Sequence, residues 1–223
     1  MTSLSRLIKR VKYFLKRKSK NVEVTPNFLL EKCTLESYDD KTLSRCHYFN
    51  CDHKDLNDFF SKDSTHYSSQ LLGKTYCFTL DGDDKDIVAA FTISNDSIKT
   101  TNMQGSRKKA VQKEIPREKT MRSYPAVLIG RLGININYQK GGIGTELMDF
   151  IKSWFTDGKN KTGCRFIVVD AYNEDRPKKY YLKNGFLFLF TTEGQEKEYL
   201  GLPANHVLST RLMYFDLISI KPI

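Results

Sequence analysis

Long hydrophobic runs are what this sequence lacks most: no stretch approaches the ~20 apolar residues of a membrane-spanning helix, so a spanning protein is not expected. The N-terminus has neither the apolar core nor the small-residue cleavage site of a secretory signal. Paired cysteines are missing too. Cys33, Cys46, Cys51, Cys77 and Cys164 form an odd set without C-x-x-C spacing, which argues against a disulfide framework and for a reducing, cytoplasmic setting. Cys46, Cys51 and His53 fall short of the four paired ligands of a closed zinc site, so no metal is expected. What is present, 39% hydrophobic and 28% charged residues in 223, suits one α/β-sized domain with appendages.

The net charge of +10 is local. The first twenty residues carry eight cations (Arg6, Lys9, Arg10, Lys12, Lys16, Arg17, Lys18, Lys20) and no acid. Leu4, Leu7, Ile8, Val11, Phe14 and Leu15 recur there at helical spacing, the pattern of a basic amphipathic helix able to lie on nucleic acid, a membrane surface or its own domain. Residues 1–27 are therefore set apart from a domain at 28–223. A second basic stretch, residues 99–122, has eight cations against Glu114 and Glu118 and no periodicity, so an inserted loop is expected.

Between these segments the chain alternates β-like and helical stretches, as an α/β or α+β layer structure does. Strands are expected at Leu29 to Leu35, Thr75 to Leu80, Ile87 to Ile93, Ala126 to Ile136, Phe166 to Val169, Leu187 to Phe190 and Leu212 to Leu217. The turn Asp81 to Lys85 would join the second and third as a hairpin. Helices are expected at Lys54 to Tyr67, Gly142 to Phe155 and Asp175 to Asn184. The second of these would bury Ile143, Leu147, Met148, Phe150 and Ile151.

The segment from Ala126 to Phe155 reads as strand, glycine-rich turn and amphipathic helix. Such a loop brings backbone close to a phosphate and offers it the N–H groups of the helix start. No Lys-Ser or Lys-Thr follows Gly144, so this is not a Walker A loop, and G-x-G-x-x-G is absent. A tight structural turn remains the alternative. Gln139-Lys140-Gly141-Gly142-Ile143-Gly144 resembles the Q/R-x-x-G-x-G/A pyrophosphate loop of the GNAT superfamily of N-acetyltransferases, and DAYNEDRPKKYYLKNGF from Asp170 resembles a second segment of that family.

The resemblance implies a central mixed, twisted sheet of six to seven strands flanked by helices, with a V-shaped split that takes acetyl-CoA. Leu132, Gly133 and Ile134 would bond the pantetheine arm, with Gly133 suited to a bulge and to close approach. Backbone N–H groups from Gln139, Lys140, Gly141, Gly142, Ile143, Gly144 and Thr145 would hold the pyrophosphate, and Asn173 matches the family asparagine that bonds to the pantetheine arm. Tyr181 aligns with the family tyrosine that gives a proton, or a hydrogen bond, to the departing thiolate. His47, His53, His66 and His206 are scattered, and no base stands out.

Phe49 to Phe60 and PAVLIGRLGI from Pro125 resemble the toxin-like acetyltransferases that modify the α-amino group of aminoacyl-tRNA, with Arg131 at the subgroup's arginine. That amine suits a site without a strong base. An antitoxin, a homodimer and RNA contact through the basic segments would accompany this reading. The added length, the polar residues 191–210, and Gly133 and Asn135 in place of alanine and aspartate depart from the subgroup. A small-amine or protein N-acetyltransferase, and a non-catalytic CoA-binding module, therefore stay open.

Overall fold

The computed structural model describes residues 27–82, 85–113, 115, 121–160 and 162–220. The expected basic helix of the tail lies outside them. In chain order the elements are α1 (Phe28–Lys32), β1 (Cys33–Ser37), α2 (Asp40–Leu43), α3 (Lys54–Asp58), a π turn (Phe59–Asp63), α4 (Ser64–Ser69), β2 (Lys74–Leu80) and β3 (Ile87–Lys99). Then come α5 (Gly105–Gln112), β4 (Ser123–Ile134), a 3-10 turn (Ile136–Tyr138), α6 (Ile143–Phe155), β5 (Phe166–Tyr172), α7 (Asp175–Lys183), β6 (Leu187–Phe188), α8 (Glu193–Leu200) and β7 (Thr210–Asp216). The seven strands form one mixed sheet in the order β1-β2-β3-β4-β5-β7-β6. The β4–β5 pair is parallel, whereas β1–β2, β2–β3, β5–β7 and β6–β7 are antiparallel.

The described residues divide into two compact units, one holding those from 27 to 94 with 130–160, the other those from 95 to 129 with 162–220. In the first unit, the two-residue period of β2 sends Tyr76 and Phe78 to one face and Cys77 to the other. Phe78 meets Phe150 edge-on at 5.1 Å, and Tyr76 meets Trp154 at 4.9 Å. The expected stripe of α6 is buried throughout. On the opposite face Cys77 and Ala90, register partners, join Tyr38, Phe49, Cys51, Phe60 and Ile87. The expected helix from Lys54 does form, with a π turn inside it.

The expected strand from Leu29 is half wrong: Phe28–Lys32 is helical and only Cys33–Ser37 pairs. The cause is remote in sequence, since the Glu146 carboxylate accepts hydrogen bonds from Phe28 N and Leu29 N, both at 3.0 Å. An acid at a helix start satisfies N–H groups that the helix itself leaves unpaired.

In the second unit Phe166, Val168, Tyr124, Ala126 and Tyr214 form a core with Leu189 and Phe190. The expected loop at residues 99–122 proves partly structured, for it contains α5 and adds buried Met103 and Val111 to that core. Two apolar anchors in so polar a segment make no visible period. The polar stretch 191–210 likewise hides α8, which starts at a Thr192 cap and ends at Gly201, φ +68°. Its anchor is a buried ion pair rather than an apolar stripe: Arg211 Nε donates to Glu196 Oε2 at 2.7 Å. The strand expected to reach Phe190 is two residues long, and β4 stops at Ile134 where a 3-10 turn begins.

Candidate active site

The first unit carries the glycine loop. Asn135 ends β4: its backbone N–H donates to Val88 O at 2.9 Å, its Nδ2 donates to Ile87 O at 3.0 Å, and its Oδ1 accepts Asn137 N at 3.1 Å. This buried asparagine pins the strand end and caps the next turn. Tyr138 closes that turn, its hydroxyl donating to Asp86 Oδ2 at 2.6 Å, while His47 Nδ1 lies 3.0 Å from Asp86 Oδ1. These two bonds, Tyr138 first, hold the Asp86 carboxyl below its ordinary range. Gln139 Nε2 then donates to Cys51 O and to Ile134 O, each at 3.0 Å.

The chain next passes through two left-handed residues, Lys140 at φ +67° and Gly142 at φ +84°. Glycine takes that conformation freely, and lysine does so at a cost. Gly142 caps α6 without any side chain to satisfy the first turn, and a Cβ built there meets nothing within 4 Å. Gly141 is equally open, its nearest neighbour being Tyr138 O at 3.9 Å. An exposed helix start with left-handed residues before it and no side chain over it can receive an anion. The residues present therefore fit a pyrophosphate, with the Lys140 ammonium exposed beside the loop.

Within β4, Gly133 is buried and a Cβ on it would lie 3.1 Å from Cys51 Cβ, 3.2 Å from Cys51 Sγ and 3.2 Å from Phe49 Cε1. The close approach that glycine permits is thus to its own fold. Leu132 and Ile134 are half-buried, and the Ile134 carbonyl is taken by Gln139. Arg131 lies with its guanidinium 5.2 Å from the Phe59 ring centre and donates through Nη1 to Gly130 O at 2.8 Å. Its Nε is buried without a partner. Beyond that buried Nε, the Nη2 hydrogens and the second Nη1 hydrogen have no hydrogen bond to a described residue.

The second unit carries Tyr181 on α7. The ring packs on Tyr180 at 5.1 Å and Phe186 at 5.3 Å, and the hydroxyl hydrogen-bonds no described residue. Burial, then the neighbouring Tyr172 and Asp170, push its pKa above the usual tyrosine value, so the phenol keeps its proton. Asn173 precedes the same helix: its Nδ2 donates to Glu193 Oε1 at 2.9 Å and Leu208 O at 3.0 Å, and its Oδ1 accepts Lys178 Nζ at 3.0 Å. Both amide hydrogens are used at home.

Other nucleophiles and bases are occupied or muted. Burial pushes the Cys33 and Cys77 thiols up to about 12 and Cys164 up to about 11, so none offers a thiolate near neutral pH. His47 faces Asp86, and His53 Nδ1 accepts Leu56 N at the start of α3. Among the described residues no group of His, Cys, Asp and Glu could hold a metal ion, and no helix is long and apolar enough to cross a membrane. All five cysteines are free thiols. Asn135, Asp86, Tyr138 and Glu146 are the supporting residues that the sequence reading missed. Only Asn135, an asparagine directly before a turn, carried a local signal.

The chain shares its fold with several solved structures. A tyrosine-to-phenylalanine variant of KacT superposes with a TM-score of 0.64 at 20% identity, over 86% of this chain and 98% of that one. AtaT in complex with acetyl-methionyl-tRNAfMet gives a TM-score of 0.62 at 17% identity, over 85% and 97%. AtaTR bound with AcCoA gives 0.59 at 17% identity, over 86% and 97%. No protein-family model matches the chain, and no curated protein does.

Proposed function

We propose that the protein is an acetyl-CoA-dependent N-acetyltransferase whose acceptor is the α-amino group of an aminoacyl-tRNA. The observation that carries this reading is the open, uncapped start of α6 behind Lys140 and Gly142, in a fold shared with AtaTR bound with AcCoA. Of the backbone N–H groups from Gln139 to Thr145, those of Gln139 and Thr145 already donate to Ile136 O and Gly142 O, so the pyrophosphate falls to the backbone between them, and the strand segment Leu132, Gly133 and Ile134 takes the pantetheine arm through backbone groups other than the Ile134 carbonyl that Gln139 holds. Asn173, its side chain bonded to Glu193, Leu208 and Lys178, braces the start of the helix bearing Tyr181.

The reaction is direct transfer. The amine nitrogen attacks the thioester carbonyl, the new C–N bond forms as the C–S bond breaks, and Tyr181 gives its proton to the leaving thiolate. The amine's surplus proton then leaves to the tyrosinate or to water. The high thiol pKa values support transfer without an acyl-cysteine. The amine of an aminoacyl ester supports it too, because it asks for no strong base, and AtaT is known with acetyl-methionyl-tRNAfMet. Arg131 Nη2 is the group assigned to the acceptor. A homodimer and an antitoxin partner belong to the same reading, AtaT being known with the C-terminus of AtaR.

Radiolabelled acetyl-CoA incubated in parallel with charged tRNA, uncharged tRNA and a panel of small amines and peptides is the test. Label on charged tRNA alone is the expected result. Label on small amines or peptides would replace the acceptor, and CoA binding with no transfer at all would make the chain a binding module.

A further inference from the structure

The basic excursion between β3 and β4 lies wholly in the second unit, and the fold alone does not account for its charge. Its stem is closed by Thr100, whose N–H donates to Arg122 O at 2.9 Å and whose hydroxyl donates to Met121 O at 2.8 Å. Exposed Lys99 and Arg122 therefore flank one another at its base. Above them α5 is anchored along one side. Gln104 Nε2 donates to Glu198 Oε2 at 3.1 Å, Arg107 donates to Leu189 O at 2.8 Å and Phe188 O at 2.9 Å, Val111 is buried, and Gln112 Nε2 donates to Tyr124 OH at 2.9 Å. Positions 104, 107, 111 and 112 share one helical face. The anchoring thus turns Lys109 and Lys113, four apart, to solvent, whereas Lys108, four residues from both Gln104 and Gln112, lies half-exposed on the anchored side.

None of Lys99, Lys108, Lys109, Lys113 and Arg122 pairs with a carboxylate among the described residues. Like charges four apart on a helix repel, so the arrangement works against the helix it sits on. A rigidly held row of unpaired cations is complementary to a row of anions.

We propose that α5 and its stem form a docking surface for the phosphate backbone of RNA, and, resting on the acceptor reading above, that this RNA is the substrate tRNA. Surface composition favours RNA over an acidic protein or a membrane. The exposed residues from 99 to 113 are Lys99, Thr101, Asn102, Gln104, Gly105, Ser106, Lys109, Ala110 and Lys113. Met121 in the stem is the one exposed large apolar side chain among the described residues of the excursion, so there is no aromatic or aliphatic cluster of the kind that centres a protein interface and no apolar face to enter lipid. Lysines with hydroxyl and amide side chains between them are what a phosphate backbone takes.

The test is uncharged tRNA binding to the full chain by fluorescence anisotropy across a salt series, with wild type against the double variant Lys109→Gln, Lys113→Gln. These exposed changes leave acetyl-CoA binding at its wild-type value. Each lost phosphate contact removes ~0.7–0.9 from the slope of log K against log salt, so the slope falls by about 1.4–1.8 and binding weakens by about 5- to 30-fold at moderate salt. An unchanged slope, or a wild type that does not bind tRNA, overturns the surface. So does selective loss of binding to polyglutamate, which would mark an acidic protein partner. The acceptor reading fails separately: a reduced slope without label on charged tRNA keeps the surface and removes the substrate, and label on charged tRNA with an unchanged slope does the reverse.

Discussion

Replacing Gln139 by alanine tests how the pyrophosphate loop is held. Its amide nitrogen spends both hydrogens on Cys51 O and Ile134 O, each at 3.0 Å, and those bonds tie the loop to the strand before it and to the segment ahead of α3. Each bond contributes about 0.5–1.5 kcal/mol. Gln139 is half-buried, so water recovers part of the loss and the net cost is about 1–2 kcal/mol. If that energy orders the loop for its anion, Gln139→Ala weakens acetyl-CoA binding by about 5- to 30-fold, while kcat at saturation stays within about threefold. Gln139→Glu goes further, because it removes both donors and sets a carboxylate against two carbonyl oxygens. Calorimetric titration with CoA, beside urea unfolding, separates the outcomes. Wild-type affinity in Gln139→Ala would refute the brace, and so would Gln139→Glu binding more tightly than Gln139→Ala. A loss confined to unfolding stability would show that the loop keeps its shape without the side chain.

Tyr181→Phe is expected to lower kcat by about 10²- to 10⁴-fold, as loss of a general acid does, with CoA affinity within about twofold. Because the Tyr181 pKa is raised, its proton is kept up to and beyond about pH 10; an alkaline limb near pH 8–9 that disappears in Tyr181→Phe would refute that role. Gly133→Ala forces a Cβ to within 3.1–3.2 Å of Cys51 and Phe49, and should cost about 1–3 kcal/mol in urea unfolding; an unchanged midpoint would show that the contact yields freely. Asp86 has a folded pKa below its unfolded value of ~3.9, so the stability it adds is present at neutral pH and is lost as pH falls through the folded pKa. The stability gap between wild type and Asp86→Asn should therefore shrink below about pH 4, and a gap constant down to pH 2 would contradict the assignment.

What could be read from the chain follows from which forces leave a period in it. The stripe of α6 stands out because burial recurs at the helical repeat, and the structure buries Ile143, Leu147, Met148, Phe150 and Ile151 as that repeat requires; the β2–β3 pair stands out because a turn-forming Asp-Gly separates two β-like runs. Elements held by polar contacts leave none. α1 depends on Glu146, more than a hundred residues away; α5 hangs on Arg107 and two apolar residues; α8 rests on the Glu196–Arg211 pair. Each local sequence alone is ambiguous, and the partner that decides it is distant.

The candidate site divides along the same line. Gly142 was readable because only glycine enters the left-handed region without cost, and the turn uses it at φ +84°. Lys140, at φ +67°, carried no such mark, since a lysine there is paid for by what surrounds it. Tyr138 on Asp86, Asn135 on Ile87 and Val88, and Gln139 on Cys51 and Ile134 supply that constraint. If they do, Lys140→Gly relaxes the turn and leaves those three anchors in place, so it should raise unfolding stability by up to about 1 kcal/mol while removing the ammonium beside the loop. CoA affinity would then fall even as stability rises. A variant that lost both would show that the lysine side chain, and not the backbone around it, holds the loop.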